Sequence, residues 1–160
     1  MRNLKHPFKA STGRQSFIDK PRSNCGVVGV YGSSIASHLS YLALYSLQHR
    51  GQESAGIVSC DGTRVYKHVG QGLVADVFSD EKILDGLKGR MAIGHNRYST
   101  TGATHQQNAQ PLLFTSKHGP FAISHNGNFT NSGELRSQLE DRGTLFQTGT
   151  DTEVVAHLVA

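Results

Sequence analysis

Cys25 sits where a basic, irregular stretch gives way to the apolar run Gly26 to Tyr31 (GVVGVY). If the preceding stretch were removed by cutting between Asn24 and Cys25, the thiol would lie beside its own α-amino group. Such an amine titrates at roughly 7.7 to 8.0, against about 10.4 for a lysine, so near neutral pH much of it is unprotonated. It can take the thiol proton, through a water, and later return it to a leaving group. A nucleophile of this kind needs no neighbouring histidine. The plainer alternative is an inert, packed cysteine.

Three other places carry matching chemistry. Asn126-Gly127 offers a side-chain amide beside a backbone N–H, the donor pair that a tetrahedral oxyanion requires. The same dipeptide is a strong hairpin turn, and local sequence leaves both readings open. Arg97, in Gly94 to Gly102 (GHNRYSTTG), is followed by hydroxyl-bearing residues, so it could hold a carboxylate in bidentate fashion or simply be an exposed loop arginine. Asp151 could bind a substrate ammonium, although a carboxylate in the first turn of a helix is equally well explained by capping and the helix dipole. Cys60 ends the run Ala55 to Cys60 and reads as a small half-buried strand residue. The nine histidines show no paired ligand spacing, so no metal site is expected.

These residues need elements to hold them. Gly26 to Tyr31 reads as a strand, followed by the break Gly32-Ser33-Ser34, which offers helix caps. Ile35, Leu39, Tyr41, Leu42 and Tyr45 recur at helical spacing up to Gln48, with Gly51 placed as a C-terminal helix glycine. Gly56 to Cys60 and Thr63 to Val69 form a hairpin about Asp61-Gly62. Residues 79 to 87 suggest a short helix. Met91 to His95, Leu112 to Ser116 and Phe121 to His125 read as strands, the last two pairing across Lys117 to Pro120. A helix from about Gly133 to Arg142 turns Leu135 and Leu139 inward. Another begins at Thr150-Asp151-Thr152-Glu153, a capping-box spacing, and is still running at Ala160, which suggests the front part of something longer.

The 160 residues fit one ordinary domain; 36% are apolar, 18% are charged and 18 are glycine, so a globular fold with many tight turns is expected. The net charge of +4 is uneven. Residues 1 to 24 carry six cations against Asp19, and the remaining ten cations face eleven carboxylates, leaving a body of −1. The basic character belongs to an arm, and the aromatic interleaving of a nucleic-acid binder is absent from it. No apolar run approaches a membrane span and no secretory signal precedes Cys25, so the two cysteines are expected to be reduced and the protein cytoplasmic. Neither a phosphate-binding loop nor a dinucleotide fingerprint occurs.

Cys25 to Gly29 (CGVVG), Tyr41 to Ile57 (YLALYSLQHRGQESAGI), GHNRYSTTG, His125 to Asn131 (HNGNFTN) and Thr150 to Glu153 resemble, in order, the glutaminase domain of the glutamine phosphoribosylpyrophosphate amidotransferases (amidophosphoribosyltransferases). The cysteine, NG and DTE elements fit any class II glutamine amidotransferase; the QHRGQESAGI and RYSTTG stretches are similar to the purine family in particular. The resemblance covers about residues 25 to 160, with residues 1 to 24 similar to a cleaved propeptide.

The resemblance implies an α+β fold, a four-layer αββα sandwich of the N-terminal-nucleophile hydrolase type, with residues 25–160 a glutaminase domain truncated on its C-terminal side. By the same resemblance, Cys25 is nucleophile and, through its amine, base, and Asn126 with the Gly127 N–H forms the oxyanion hole. Arg97 grips the glutamine α-carboxylate and Asp151 its ammonium, while Tyr98, Thr100, Arg50 and Gly51 line or order the pocket. Asn24 and Cys25 flank the processing bond. In such enzymes the ammonia goes to a phosphoribosyltransferase domain, which makes 5-phosphoribosylamine from phosphoribosylpyrophosphate in the first committed step of purine synthesis; the resemblance implies that these 160 residues do not include that domain. Full-length relatives imply Mg2+, a [4Fe-4S] cluster in propeptide-bearing members and a homotetramer, with no cofactor in this segment and no nucleic-acid or membrane partner. The rival readings are a sibling amidotransferase with another acceptor, a cysteine peptidase pairing Cys25 with His95 or His125, and a non-catalytic module docking through its arm.

Overall fold

The computed structural model describes residues 25–98 and 106–160. The expectations for Asn24, the basic arm and Thr100 lie outside the described residues. β1 (Gly26–Tyr31) is followed by α1 (Ala36–Ser46), a 3-10 turn at Gln48–Arg50, the hairpin β2 (Ser54–Cys60) and β3 (Val65–Gln71), and two short helices, α2 (Val74–Val77) and α3 (Glu81–Gly86). Then come β4 (Met91–Arg97), a 3-10 turn at Gln106–Asn108, β5 (Leu112–Ser116), β6 (Gly119–Ile123), α4 (Ser132–Glu140) and α5 (Asp151–Val159).

β1, β4, β2 and β3 form, in that spatial order, an antiparallel sheet, and β5 pairs with β6 in a second one. α1 covers one face of the large sheet and α5 packs on β5, so the layers run helix, sheet, sheet, helix, as the α+β sandwich reading expected. The core between α1 to α3 and the large sheet contains Leu44, Ile57, Val74, Val77, Phe78 and Leu84. Leu44 is fully buried, a burial that contributes about 2 kcal/mol. Between the sheets, Val58, Ile93, Phe121 and Ala122 line an apolar cavity of about 480 Å³.

Side-chain alternation along β4 positions the chemistry. Gly94 faces α1, where an added Cβ would lie 2.8 Å from Leu44 Cδ1. Asn96 points the same way, donating to carbonyls of α1, whereas Ile93, His95 and Arg97 point toward the second sheet and its loops.

Several local expectations change. The buried face of α1 is Ala36, Ser37, Ser40 and Leu44, while Ile35, Leu39, Leu42 and Tyr45 stay exposed. Small residues let the helix approach a sheet that has glycine at position 94. No side chain caps α1 at Ile35; Ser33 Oγ instead accepts from the Ile35 N–H. Gly51 is extended (φ −151°) rather than left-handed, because it is needed for close approach: a Cβ there would lie 2.7 Å from the Asn96 carbonyl carbon. The hairpin loop spans Asp61 to Arg64, Asp61 Oδ1 accepting from the Thr63 and Arg64 N–H groups, so it is longer than a two-residue turn. β6 begins two residues earlier than expected and ends at Ile123, and β4 continues through Arg97. In α4, Leu135 and Leu139 are half-buried and no residue is fully buried.

The capping box at Thr150 does not form. Glu153, 1% exposed, turns its carboxylate to the Gln147 and Thr148 N–H groups and the Thr148 hydroxyl, tying down the loop ahead of α5.

Candidate active site

A cleft of about 280 Å³ opens where β1 begins and β4 ends, and its lining includes Cys25, His95, Arg97, Tyr98, His125, Gly127 and Asp151. Residues up to 126 positions apart in the chain therefore meet in one place, because β1 and β4 are paired and the β6 and α5 connections fold over their ends.

Cys25 is half-buried and unpaired with Cys60; its Sγ lies 3.8 Å from the Tyr98 carbonyl oxygen. Asn126 Nδ2 donates to the Cys25 carbonyl at 2.8 Å. An amide nitrogen carries two hydrogens, so this bond fixes the side chain beside the thiol and leaves its second N–H for an incoming oxygen. Gly127 follows in the same turn, so tight that a Cβ there would lie 2.7 Å from His125 Nε2. Asn126-Gly127 is thus no hairpin turn: no strand follows until the chain enters α4.

Arg97 is held from two sides. Its Nε is 3.5 Å from Glu53 Oε1, and Nη1 donates to the Asn108 carbonyl at 2.9 Å. Asn108 also accepts from the Gly149 N–H through Oδ1, at 3.1 Å, linking the arginine to the approach to α5. Asp151 opens α5; its Oδ2 accepts from the Phe129 N–H at 2.8 Å and its Oδ1 lies 3.6 Å from His125 Nδ1. The segment carrying Asn126 and the helix carrying Asp151 are thereby joined.

Histidines frame the cleft without engaging the thiol. His95, fully buried, donates from Nε2 to the His125 carbonyl at 3.1 Å, and a carbonyl partner requires the proton on Nε2. Burial pushes its pKa down to about 4; the His125 carbonyl bond opposes this and the nearby Arg97 and His125 charges reinforce it. His95 is neutral at neutral pH and a poor proton acceptor. The His125 ring stacks on Phe129 at 4.8 Å, with Nδ1 toward Asp151 and Thr152. Among the described residues no hydrogen bond joins either ring to Cys25 Sγ, which removes the geometric basis for a cysteine–histidine dyad.

Sequence reasoning missed Glu53, Asn96, Asn108, Gln110 and Glu153. Gln110, buried, accepts the His125 N–H and lies 3.4 Å from the Thr152 hydroxyl through Nε2. Glu53, Asn96 and Glu153 lay in stretches already singled out (QHRGQESAGI, GHNRYSTTG and Thr150 to Glu153), but their partners are set by the fold, Glu53 preceding Ser54, which pairs with Arg97 across β2 and β4; Asn108 and Gln110 lay in none of those stretches. Tyr98 lines the cleft; Arg50 and Gly51 do not, and Gly51 instead packs behind the Asn96–Arg97 backbone. The described residues contain no group of three or more His, Cys, Asp or Glu that could hold a metal ion.

A glutamine amidotransferase domain family model matches residues 80–160. Amidophosphoribosyltransferase 2, chloroplastic, of Arabidopsis thaliana is 52% identical over 145 residues, 90% of this chain and 26% of that protein. Amidophosphoribosyltransferase of Bacillus subtilis (strain 168) is 51% identical over 136 residues, 84% of this chain and 28% of the relative. Among solved structures, the B. subtilis glutamine phosphoribosylpyrophosphate amidotransferase complexed with ADP and GMP aligns with a TM-score of 0.76 at 50% identity, over 83% of this chain and 28% of that one. The chain spans between 25% and 30% of the length of the curated relatives it matches.

Proposed function

The chain belongs to the glutamine amidotransferase domain family, and from that premise we propose that it is the glutaminase part of an amidophosphoribosyltransferase, with Cys25 as an N-terminal nucleophile. The observation that carries this reading is that Cys25 shares one cleft with a guanidinium (Arg97), a carboxylate (Asp151) and Gly127, while the Asn126 amide is bonded to the Cys25 carbonyl.

Arg97 would receive the α-carboxylate of glutamine and Asp151 its α-ammonium, which leaves the side-chain amide directed at the thiol. The Cys25 thiol gives its proton to the residue's own amine, and sulfur bonds to the amide carbon. The carbonyl oxygen, now negative, accepts from the second Asn126 N–H and from Gly127 N–H. The tetrahedral centre collapses with cleavage of the carbon–nitrogen bond, and ammonia leaves with the proton the amine had collected. Water then attacks the γ-glutamyl thioester, releasing glutamate and restoring the thiol. One glutamine and one water become one glutamate and one ammonia.

In the full-length protein the ammonia would displace pyrophosphate from phosphoribosylpyrophosphate, giving 5-phosphoribosylamine for purine synthesis. Magnesium, a [4Fe-4S] cluster and a homotetramer belong to the same proposal and rest on residues beyond this chain. Cytoplasmic residence is part of it too; no helix among the described residues is long and apolar enough to cross a membrane.

Intact mass together with glutamine turnover tests the reading. A mature chain beginning at Cys25 that releases glutamate, with Cys25→Ala blocking both cleavage and turnover, is the expected outcome. A chain that still begins at Met1 and hydrolyses glutamine would overturn the terminal-amine mechanism.

A further inference from the structure

When residue 25 is the first of the chain, its only covalent tether is the peptide group to Gly26. That group is gripped at both edges. Its carbonyl accepts from Asn126 Nδ2 at 2.8 Å, and its N–H, on Gly26, donates to Asn96 Oδ1 at 2.6 Å. A peptide group is planar, so fixing both edges fixes the Cα of Cys25 and with it the origin of both the thiol and the amine.

Asn96 is fully buried and itself anchored: Nδ2 donates to the Leu47 carbonyl at 2.9 Å and approaches the Leu44 carbonyl at 3.5 Å, at the C-terminal end of α1. The fit to Gly26 is close, since a Cβ on that residue would lie 2.2 Å from Asn96 Oδ1. Strand alternation places Asn96 on the α1 face, away from the cleft that its neighbour Arg97 enters. It touches no substrate position.

We propose that Asn96 is a positioning residue for Cys25, clamping the first peptide group to the end of α1 so that the thiol meets the bound amide in attacking geometry. This rests on the reading of Cys25 as the nucleophile. The substrate grips, Arg97 and Asp151, are separate from the clamp, so losing it should impair attack rather than binding.

The test is Asn96→Val in the full-length protein, a change of similar volume that removes the acceptor. Glutamine kcat should fall about 10- to 100-fold with KM within about twofold, the scale expected for a displaced attacking group. Two alkylation rates at Cys25 separate positioning from other roles. The glutamine analogue 6-diazo-5-oxo-L-norleucine, which must bind and be attacked in register, should label the variant about tenfold or more slowly, while undirected iodoacetamide labels it at nearly the wild-type rate. Unchanged analogue labelling, or both rates falling together, would overturn the proposal. Should Asn96→Val not fold, Asn96→Thr is measured in the same way, and failure of both to fold assigns Asn96 to the fold alone and also overturns it. A wild-type protein that neither turns over glutamine nor takes the analogue would instead refute the nucleophile reading.

Discussion

At the scale of single residues, the site consists of groups whose own partners hold them ready. The Arg97 guanidinium, already bound to Glu53 and the Asn108 carbonyl, meets a carboxylate without reorganising. Arg97→Gln should therefore raise the KM for glutamine far more than it lowers kcat, with kcat/KM down about 10- to 100-fold, corresponding to one charge-assisted hydrogen-bond pair. Steady-state kinetics read this directly. Glu53→Gln should give a smaller loss in the same direction, because the arginine keeps its carbonyl partner. The types of Cys25, Arg97, Asn126 and Asp151 were legible from the chain alone, since each has a distinctive chemistry. Glu53 and Asn108 were not, because a carboxylate and an amide acquire meaning here only from an arginine brought to them by strand pairing and a loop.

At the scale of elements, the cleft depends on connections more than on helices or strands themselves. The loop before α5 hangs on the Glu153 carboxylate. Burial alone would raise the pKa of this group, but the Gln147 and Thr148 N–H groups and the Thr148 hydroxyl outweigh it and hold it below the usual value. Glu153→Ala should destabilise the protein by about 1 to 3 kcal/mol, through the loss of three hydrogen bonds to the buried carboxylate, and should loosen Asp151 through its helix. Denaturant unfolding measures the first effect and the glutamine KM the second. Gly51→Ala should be costly as well, since its Cβ would press on the β4 backbone immediately behind Arg97. β1, the hairpin, α3 and β5 were readable from periodicity and turn chemistry. α2 escaped notice because four residues show no periodicity, and the face of α1 was misleading because close helix–sheet packing buries its alanine and serines rather than its large apolar side chains.

At the scale of the whole molecule, stability should depend on pH through His95. The histidine titrates at 6.5 unfolded and at about 4 folded, so between those values the unfolded chain takes up a proton that the folded one excludes. Stability is complete above pH 6.5 and falls as the pH drops through this window, by up to about 3 kcal/mol. Glu153 adds to the acid side, its stabilising contribution being present above 4.5 and lost below it. Chemical denaturation at neutral pH and at about pH 5 should show the loss, and His95→Gln, which can still donate to the His125 carbonyl, should flatten it. What the chain determined unaided was the inventory: an apolar β-rich body, a cysteine at the start of its first strand, and the motifs that carry the glutaminase resemblance, all properties of local composition and spacing. The tertiary structure alone decided which buried amides and carboxylates serve those motifs. Antiparallel pairing of β1 with β4 sets Asn96 beside Gly26, and the packing of α5 against β5, the partner of β6, sets Asp151 beside His125, because contacts between residues far apart in sequence are created by register and packing.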